Sequence, residues 1–182
     1  VVSLFIHHES FRNDHYTIYE KWVQGQKALR APIQEKYLTN KPTERQRAGY
    51  VSFENIIKKR DLLEDGSYER LLLTLYTDIP PNRSDFHDTR IYNQQPVPEP
   101  INNYIVLDPE QNTGKLILNK FKTVKKHGQN IIDLPSETLK QLRISLEKNP
   151  RNYLFISTRF HKPYTELKNP EGTFNSWANK IL

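Results

Sequence analysis

The sequence predicts an α+β fold, in which a helical lead-in precedes a mostly helical domain that carries a small three-stranded antiparallel sheet. Three observations support this prediction. Apolar residues recur at helical spacing in the first 80 residues and again after Pro135. Between these regions the pattern changes to short runs rich in Ile, Leu and Val. The runs follow one another through short turn-forming segments, which is typical of an antiparallel meander.

The lead-in is expected to cover residues 1–48, and the second domain residues 49–182. Aromatic and apolar side chains at roughly helical spacing indicate a core-facing stripe in the lead-in. These side chains are Phe11, Tyr16, Tyr19, Trp22 and Val23. Pro32 and Pro42 are expected to interrupt the helical structure that follows the stripe.

Two consecutive helices are predicted next, and each has a recognisable start. Ser52 can accept a hydrogen bond from a first-turn backbone N–H, and its helix is expected to reach about Leu63. Asp65-Gly66 should break the chain, and Ser67 should cap the second helix. Leucines lie on nearly every side of that second helix, so we expect it to be buried all round until the prolines after Ile79 end it.

Strands are predicted at residues 103–107, 115–119 and 131–134, with the turn-rich segment PEQNTG between the first two. A helix is expected from Ser136 to Asn149, where Pro150 ends it. The short apolar run at residues 153–156 predicts one more strand.

A last helix is expected to begin at the Asn169-Pro170 pair, which suits an N-cap followed by a first helical residue. Phe174, Trp177 and Ile181 would form its apolar face. Because the sequence stops while this amphipathic pattern is still in progress, we expect that it is part of a longer chain.

Composition and motifs argue against several classes of function. Cysteine is absent, which excludes disulfides and thiolate chemistry within the sequence, and no apolar run is long enough for a membrane span. The nucleotide-binding patterns GxxxxGK[ST] and GxGxxG and the hydrolase pattern GxSxG do not occur. The histidines lack the spacing of metal ligands. We therefore expect no cofactor, no metal site and no membrane partner.

Lys and Arg outnumber Asp and Glu by 27 to 21, which gives a formal net charge of +6. This excess is compatible with a polyanionic partner. One segment suited to a phosphate places Arg83 just beyond the buried helix and its prolines. A guanidinium can donate two hydrogen bonds to one phosphate, and Asp85 and Asp88 could orient it. The alternative is an ordinary surface Arg–Asp pair.

A second segment, residues 111–132, contains no acidic residue and carries five lysines. The lysines are Lys115, Lys120, Lys122, Lys125 and Lys126. A basic hairpin can lie along DNA phosphates, or its lysines can protect an exposed sheet edge. Another basic stretch surrounds the start of the Ser52 helix and consists of Arg45, Arg47, Lys58, Lys59 and Arg60, of which the first four are candidate DNA-binding residues.

The order of these elements resembles the tyrosine recombinases, the phage-integrase family, and most of all the divergent group in large eukaryotic DNA viruses and mobile elements. That group often carries the pattern YT-x-x-PP-x-R-x-D-[YF], which stands here as YTDIPPNRSDF at residues 76–86. Lys122-Thr123 with Gly128 is similar to its "KT…G" hairpin, and residues 152–155 match its "NYLF". The resemblance covers residues 49–182, whereas residues 1–48 match only as a helical lead-in similar to a core-binding domain.

The resemblance implies a reaction that needs neither metal nor nucleotide. Arg83 would hold the scissile phosphate and stabilise the charge on its oxygens in the transition state. Lys122 would be the general acid that protonates the leaving oxygen, although Lys125 or Lys126 could take that role because the register of the basic turn is open. A tyrosine would form a covalent link to the DNA.

The sequence departs from the family in the rest of the catalytic set. No Arg follows His161, so the family's His-x-x-Arg motif is missing, and Tyr164 comes too early to be the nucleophile. The acidic residue stands two positions after Arg83, where many bacterial members have it three positions after. We therefore expect that this chain by itself does not cleave DNA.

Three interpretations stay open at this point. The chain is the DNA-binding part of a recombinase, with double-stranded DNA as partner and tetramers on paired sites. Alternatively, it is a non-catalytic DNA-binding or virion-associated structural protein that reuses the fold. The third interpretation is an α+β interaction module whose lysines have no nucleic-acid partner. The first two are compatible with an intracellular location such as a nucleus, a viral factory or a virion.

Overall fold

Helices make up most of the computed structural model, which describes residues 7–39, 41–80, 84–93, 102–121 and 124–181. The chain divides into two compact units, unit 1 at Val1–Tyr50 and unit 2 at Val51–Leu182. Unit 2 combines helices with a small sheet, which confirms the predicted α+β class. No helix within the described ranges combines the length and the apolar composition needed to cross a bilayer.

Unit 1 is helical in its described part, as predicted for the lead-in. Its helices are α1 (Glu9–Asp14), α2 (Tyr16–Leu38) and α3 (Glu44–Ala48). Phe11 of α1 stacks on Trp22 of α2 at 5.2 Å between ring centroids, but both rings stay half-exposed and Tyr16 is exposed. The expected stripe therefore packs α1 on α2 without forming a buried core.

The sequence predicted that Pro32 interrupts the helix, but α2 continues through Pro32. A proline inside a helix removes one backbone hydrogen bond and crowds the preceding turn, which is unfavourable but does not forbid the helix. After α2 the described chain is not helical around Pro42, and Thr43 is the N-cap residue of α3. There the Thr43 hydroxyl accepts from the Gln46 N–H and the Gln46 side chain accepts from the Thr43 N–H, which forms a capping box.

Two capped helices open unit 2, as predicted. They are α4 (Phe53–Leu62) and α5 (Tyr68–Asp78). The Ser52 hydroxyl accepts from the Asn55 N–H, and the Ser67 hydroxyl accepts from the Arg70 N–H. No residue of α5 is exposed, and its four leucines are almost completely buried, so α5 is the central helix of the core.

The sheet has four strands rather than the three predicted. These are β1 (Arg90–Tyr92), β2 (Tyr104–Asp108), β3 (Thr113–Leu118) and β4 (Asn130–Asp133), in the spatial order β1-β2-β3-β4. The expected antiparallel meander is present as β2, β3 and β4. However, β1 adds to β2 in parallel, so the sheet is mixed. A strand of three residues is too short to show an alternating pattern in the sequence.

The remaining elements complete unit 2. They are the 3₁₀ turn Ser84–Asp88, α6 (Val124–His127), α7 (Ser136–Lys148), β5 (Ile156–Ser157), β6 (Lys162–Pro163), the 3₁₀ turn Tyr164–Glu166 and α8 (Pro170–Ile181). The strand predicted at residues 153–156 was mostly wrong. Tyr153 makes only an isolated bridge to Arg90, and the short strand begins at Ile156 and pairs with β6.

The core of unit 2 lies between α5, α7, the sheet and α8. Helix α5 packs against α4 and α7, and α8 packs against both 3₁₀ turns. Beneath α8 the ring centroid of Trp177 lies 5.5 Å from that of Phe155 and 5.6 Å from that of Phe174, and Phe174 lies 5.3 Å from Tyr164. Aromatic contacts at these distances are favourable and stiffen the core.

The turn between α4 and α5 is attached to α7. The Gly66 N–H donates to the buried Gln141 side chain at 2.7 Å, and the Gln141 amide donates to Asp65 at 2.7 Å. That hydrogen bond is the largest cause of a lowered Asp65 pKa. Gly66 has a φ of +73°, in the left-handed region that favours glycine.

Candidate nucleic-acid interface

Both residues expected to be catalytic, Arg83 and Lys122, lie outside the described residues, but the segments beside them are well defined. The 3₁₀ turn Ser84–Asp88 follows Arg83 directly. Within it, Phe86 is completely buried and packs edge-on against Tyr76 at 5.7 Å. On the other side, Ile79 is buried at the end of α5. The chain is therefore anchored in the core on both sides of the Arg83 segment.

The segment that precedes Lys122 is held by Asn103. The Asn103 side chain accepts hydrogen bonds from the Asn119 and Lys120 N–H groups at 3.0 and 2.8 Å, and it donates to the Lys120 carbonyl at 2.9 Å. Its own backbone carbonyl accepts from the Arg90 N–H of β1 at 3.0 Å. Asn103 is only 1% exposed, so these bonds are shielded from water. Residues 119 and 120, directly before the Lys122 position, are thus tied to the sheet.

Asp88 connects the two segments. Its Oδ2 lies 3.8 Å from the Lys120 Nζ, while its other oxygen, Oδ1, is buried and accepts no hydrogen bond from a described residue. The Asp88 side chain is nearly buried, whereas that of Lys120 is largely exposed. The Asp88 carboxylate therefore brings the segment that follows Arg83 close to the segment that precedes Lys122.

The other lysines of this region differ in whether a carboxylate lies close to their ammonium group. Lys125 and Lys126 are exposed on α6, and neither forms an ion pair with a described residue. Lys115 instead lies opposite Asp133 across β3 and β4, with 3.7 Å between its Nζ and the carboxylate. Asp133 is the first acidic residue after the basic segment, so part of the segment's charge is offset just beyond its end.

The second basic stretch is divided between the two units. Arg45 and Arg47 are exposed on α3 of unit 1, where the Arg47 Nε donates to the Pro42 carbonyl at 3.2 Å. Lys58 is exposed on α4 of unit 2. Lys59 donates to the Ile181 carbonyl in the last turn of α8, where a cation is stabilised by the helix dipole. Lys59 therefore has a structural contact in addition to any role in DNA binding.

Two further arginines of unit 2 have structural roles. Arg60 donates to Thr77 and Asp78 at 2.8 Å each. Burial lowers its pKa, but the carboxylates of Asp61 and Asp78 outweigh this effect and raise it. Arg151 donates to the Ser145 and Leu154 carbonyls, and burial lowers its pKa. Both side chains are engaged by the fold and are not available to a phosphate.

Tyr164 is not a nucleophile in this structure. Its side chain is 2% exposed within the aromatic cluster beneath α8. Burial, together with the neighbouring Tyr68, raises the pKa of Tyr164 to about 12. A buried phenol with a raised pKa cannot reach a phosphate or lose its proton readily, in agreement with its unsuitable position in the sequence.

Sequence reasoning missed Asn103 and the pairing between Asp88 and Lys120. Neither has a signal in a single sequence, because each depends on a contact between residues more than 15 positions apart. The described ranges contain no group of three or more His, Asp or Glu residues placed to hold a metal ion. Comparison of the chain with protein-family models, curated proteins and solved structures found no match.

Proposed function

We propose that this chain is the DNA-binding part of a site-specific recombinase that breaks and rejoins duplex DNA through a phosphotyrosine intermediate. The observation that carries the proposal is the contact between Asp88 and Lys120. It joins the segment that follows Arg83 to the segment that precedes Lys122. The proposed reaction needs a guanidinium and an ammonium at one phosphate, so the meeting of these two segments supports the assignment of Arg83 and Lys122.

The exposed lysines of the basic segment support duplex DNA as the partner. Lys125 and Lys126 form no ion pair with a described residue, and Lys120, a few positions earlier in the sequence, is largely exposed. Lysines that neutralise DNA phosphates release counterions, which drives binding and makes it salt-dependent. Lys115 contributes less to this surface, because Asp133 shares its charge. The family resemblance further implies that protomers assemble as tetramers on paired sites.

A second candidate is a DNA-binding protein that does not cleave. It is favoured by the burial of Tyr164. This candidate shares the basic surface with the first and differs only in the chemistry. An assay of DNA cleavage therefore distinguishes the two candidate functions, whereas an assay of duplex binding tests the basic surface that both require.

Replacing Lys125 and Lys126 together by Gln is expected to weaken duplex binding roughly 60-fold at about 0.1 M salt, since each lost phosphate contact changes affinity about eightfold there. The slope of log affinity against log salt should become shallower by about 1.8, or about 0.9 for each contact. Fluorescence anisotropy of a labelled duplex at several salt concentrations measures both quantities. Lys122 stays unchanged in this variant so that binding is tested apart from catalysis.

The matched control replaces Lys140 and Lys148 of α7 by Gln. These two lysines of unit 2 pair with Glu137 and Glu64. Replacing them lowers the net charge by as much as replacing Lys125 and Lys126 does, but it leaves the basic segment intact. We expect this control to bind almost as the unmodified protein does. Equal losses in the two double variants would mean that net charge alone attracts DNA, and the assigned interface would be wrong.

A further inference from the structure

The β5–β6 hairpin has a tightly held tip outside the basic segment. The Ser157 hydroxyl accepts from the Phe160 N–H at 3.2 Å, and the Ser157 carbonyl accepts from the His161 N–H at 2.8 Å. His161 has a φ of +53°, a left-handed conformation that is uncommon for residues other than glycine. Strained residues of this kind persist where the surrounding structure holds them, often at functional sites. The tip therefore presents Arg159 and Phe160 in a defined arrangement.

An open cleft of about 430 Å³ lies between this tip and α8. Its volume falls within the range of about 300–1,000 Å³ that is usual for small-ligand sites. Trp177 and Tyr164 line it, and both belong to the aromatic cluster of the core, so part of its wall is rigid. Hydroxyl groups of Thr173 and Ser176 line its α8 side. The cleft thus combines an aromatic surface with hydrogen-bonding groups.

The surroundings of the cleft are positively charged. Arg159 and Lys180 line it, and Lys162 and Lys168 line a second cleft that shares Phe160 and Asn169 with the first. All four cations are exposed, and none forms an ion pair with a described residue. Among the described residues that line the two clefts, Glu166 is the one that carries a carboxylate. The excess of cations favours an anionic ligand.

Phe160 distinguishes this surface from a simple patch of lysines. Its side chain is 46% exposed at the edge of both clefts, and the Arg159 guanidinium lies 5.2 Å from its ring centroid. An exposed aromatic ring beside cations can stack on a planar ligand while the cations contact its charged groups. Aromatic rings that accept bases, combined with cations that follow the backbone, are the usual means of binding single-stranded nucleic acid without sequence preference.

We propose that the cleft between the β5–β6 tip and α8 binds an unpaired nucleotide of a single-stranded nucleic acid. The base stacks on Phe160, and Arg159 and Lys180 contact the flanking phosphates. An acidic peptide would satisfy the cations but would leave the aromatic ring without a planar partner. The site shares no residue with the Asp88–Lys120 region, so the outcome of its test does not depend on the recombinase proposal.

The test uses a single-stranded oligonucleotide that contains one 2-aminopurine, a fluorescent base whose emission falls when it stacks. Binding to the unmodified protein is expected to quench the probe. Phe160→Leu should weaken binding about tenfold and remove the quenching, because stacking of a base on an aromatic ring is lost. Phe160→Tyr, which keeps the ring, should retain both. Duplex binding should stay unchanged in both variants.

Phe53→Leu is the matched control, since Phe53 is also an exposed phenylalanine of unit 2 but has no place in the cleft. If Phe160→Leu and Phe53→Leu behave alike, the proposal is overturned. It is equally overturned if the probe binds without quenching, or if polyglutamate displaces the probe as well as unlabelled oligonucleotide does. Arg159→Gln provides a second variant should Phe160→Leu fold poorly, and it is expected to weaken single-strand binding with the ring still present.

Discussion

Replacement of Gly66 by alanine is expected to lower the free energy of unfolding of unit 2 by about 3 kcal/mol, which combines left-handed backbone strain with overpacking. A Cβ at this position would lie 2.5 Å from the Ile144 Cγ2, and 2.9 Å from the backbone of both Ile144 and Ser145. The backbone of α7 cannot move aside without disturbing the hydrogen bond from the Gly66 N–H to Gln141. Denaturant unfolding followed by circular dichroism measures the change.

Gly128→Ala separates the strain of the left-handed backbone from the overpacking against α7. Gly128 has a nearly identical φ of +71°, but beyond its chain neighbours no atom of a described residue lies within 4 Å of the position that a Cβ would take. Its replacement should therefore cost only the strain of the left-handed conformation, about 1 kcal/mol. A loss at Gly66 no larger than that at Gly128 would show that α7 does not pack against the turn as described. The comparison tests the packing of α4, α5 and α7 without reference to function.

The course of the main helices could be predicted from the sequence because their starts depend on local interactions. Ser52 and Ser67 cap the helices that they were expected to cap, and α5 is buried on every side, as its leucines indicated. The meander of β2, β3 and β4 was also predictable from its apolar runs, and the turn between β2 and β3 is short. The helix caps and this turn depend on interactions formed within a few residues of the chain.

The missed features depend on long-range contacts. Strand β1 exists because the Arg90 N–H meets the Asn103 carbonyl and the Ile91 N–H meets the Asn152 carbonyl. Neither the short segment 90–92 nor Asn152 lies in a run with a strand pattern of its own. The basic segment looked free of acid along the sequence, but β4 brings Asp133 opposite Lys115 and the fold brings Asp88 to Lys120. Counting the charges along the sequence therefore overestimated how many of these lysines have no carboxylate nearby.

Arg83→Ala is expected to lower the rate of DNA cleavage by the intact protein about 10²–10³-fold at saturating DNA. A guanidinium that stabilises charge developing on the phosphate oxygens affects the chemical step more than the binding of duplex. The anchoring of Ile79 and Phe86 on either side of the Arg83 segment means that the variant should fold normally. Single-turnover formation of a covalent protein–DNA adduct, with a thermal melt beside it, measures both effects.

The double variant of Lys125 and Lys126 is the control that separates chemistry from affinity. With Lys122 as the general acid, it should need more DNA to reach saturation but should then form the adduct at nearly the unmodified rate, whereas Arg83→Ala should stay slow at every DNA concentration. A rate that stays low in the double variant at saturating DNA would instead assign the general acid to Lys125 or Lys126. Arg83→Lys should recover little of the rate, because an ammonium cannot donate two parallel hydrogen bonds to one phosphate. Undiminished adduct formation by Arg83→Ala would remove Arg83 from the catalytic set. If the unmodified protein binds duplex DNA but forms no adduct, the second candidate, DNA binding without cleavage, is the function that agrees with the basic surface and the buried Tyr164.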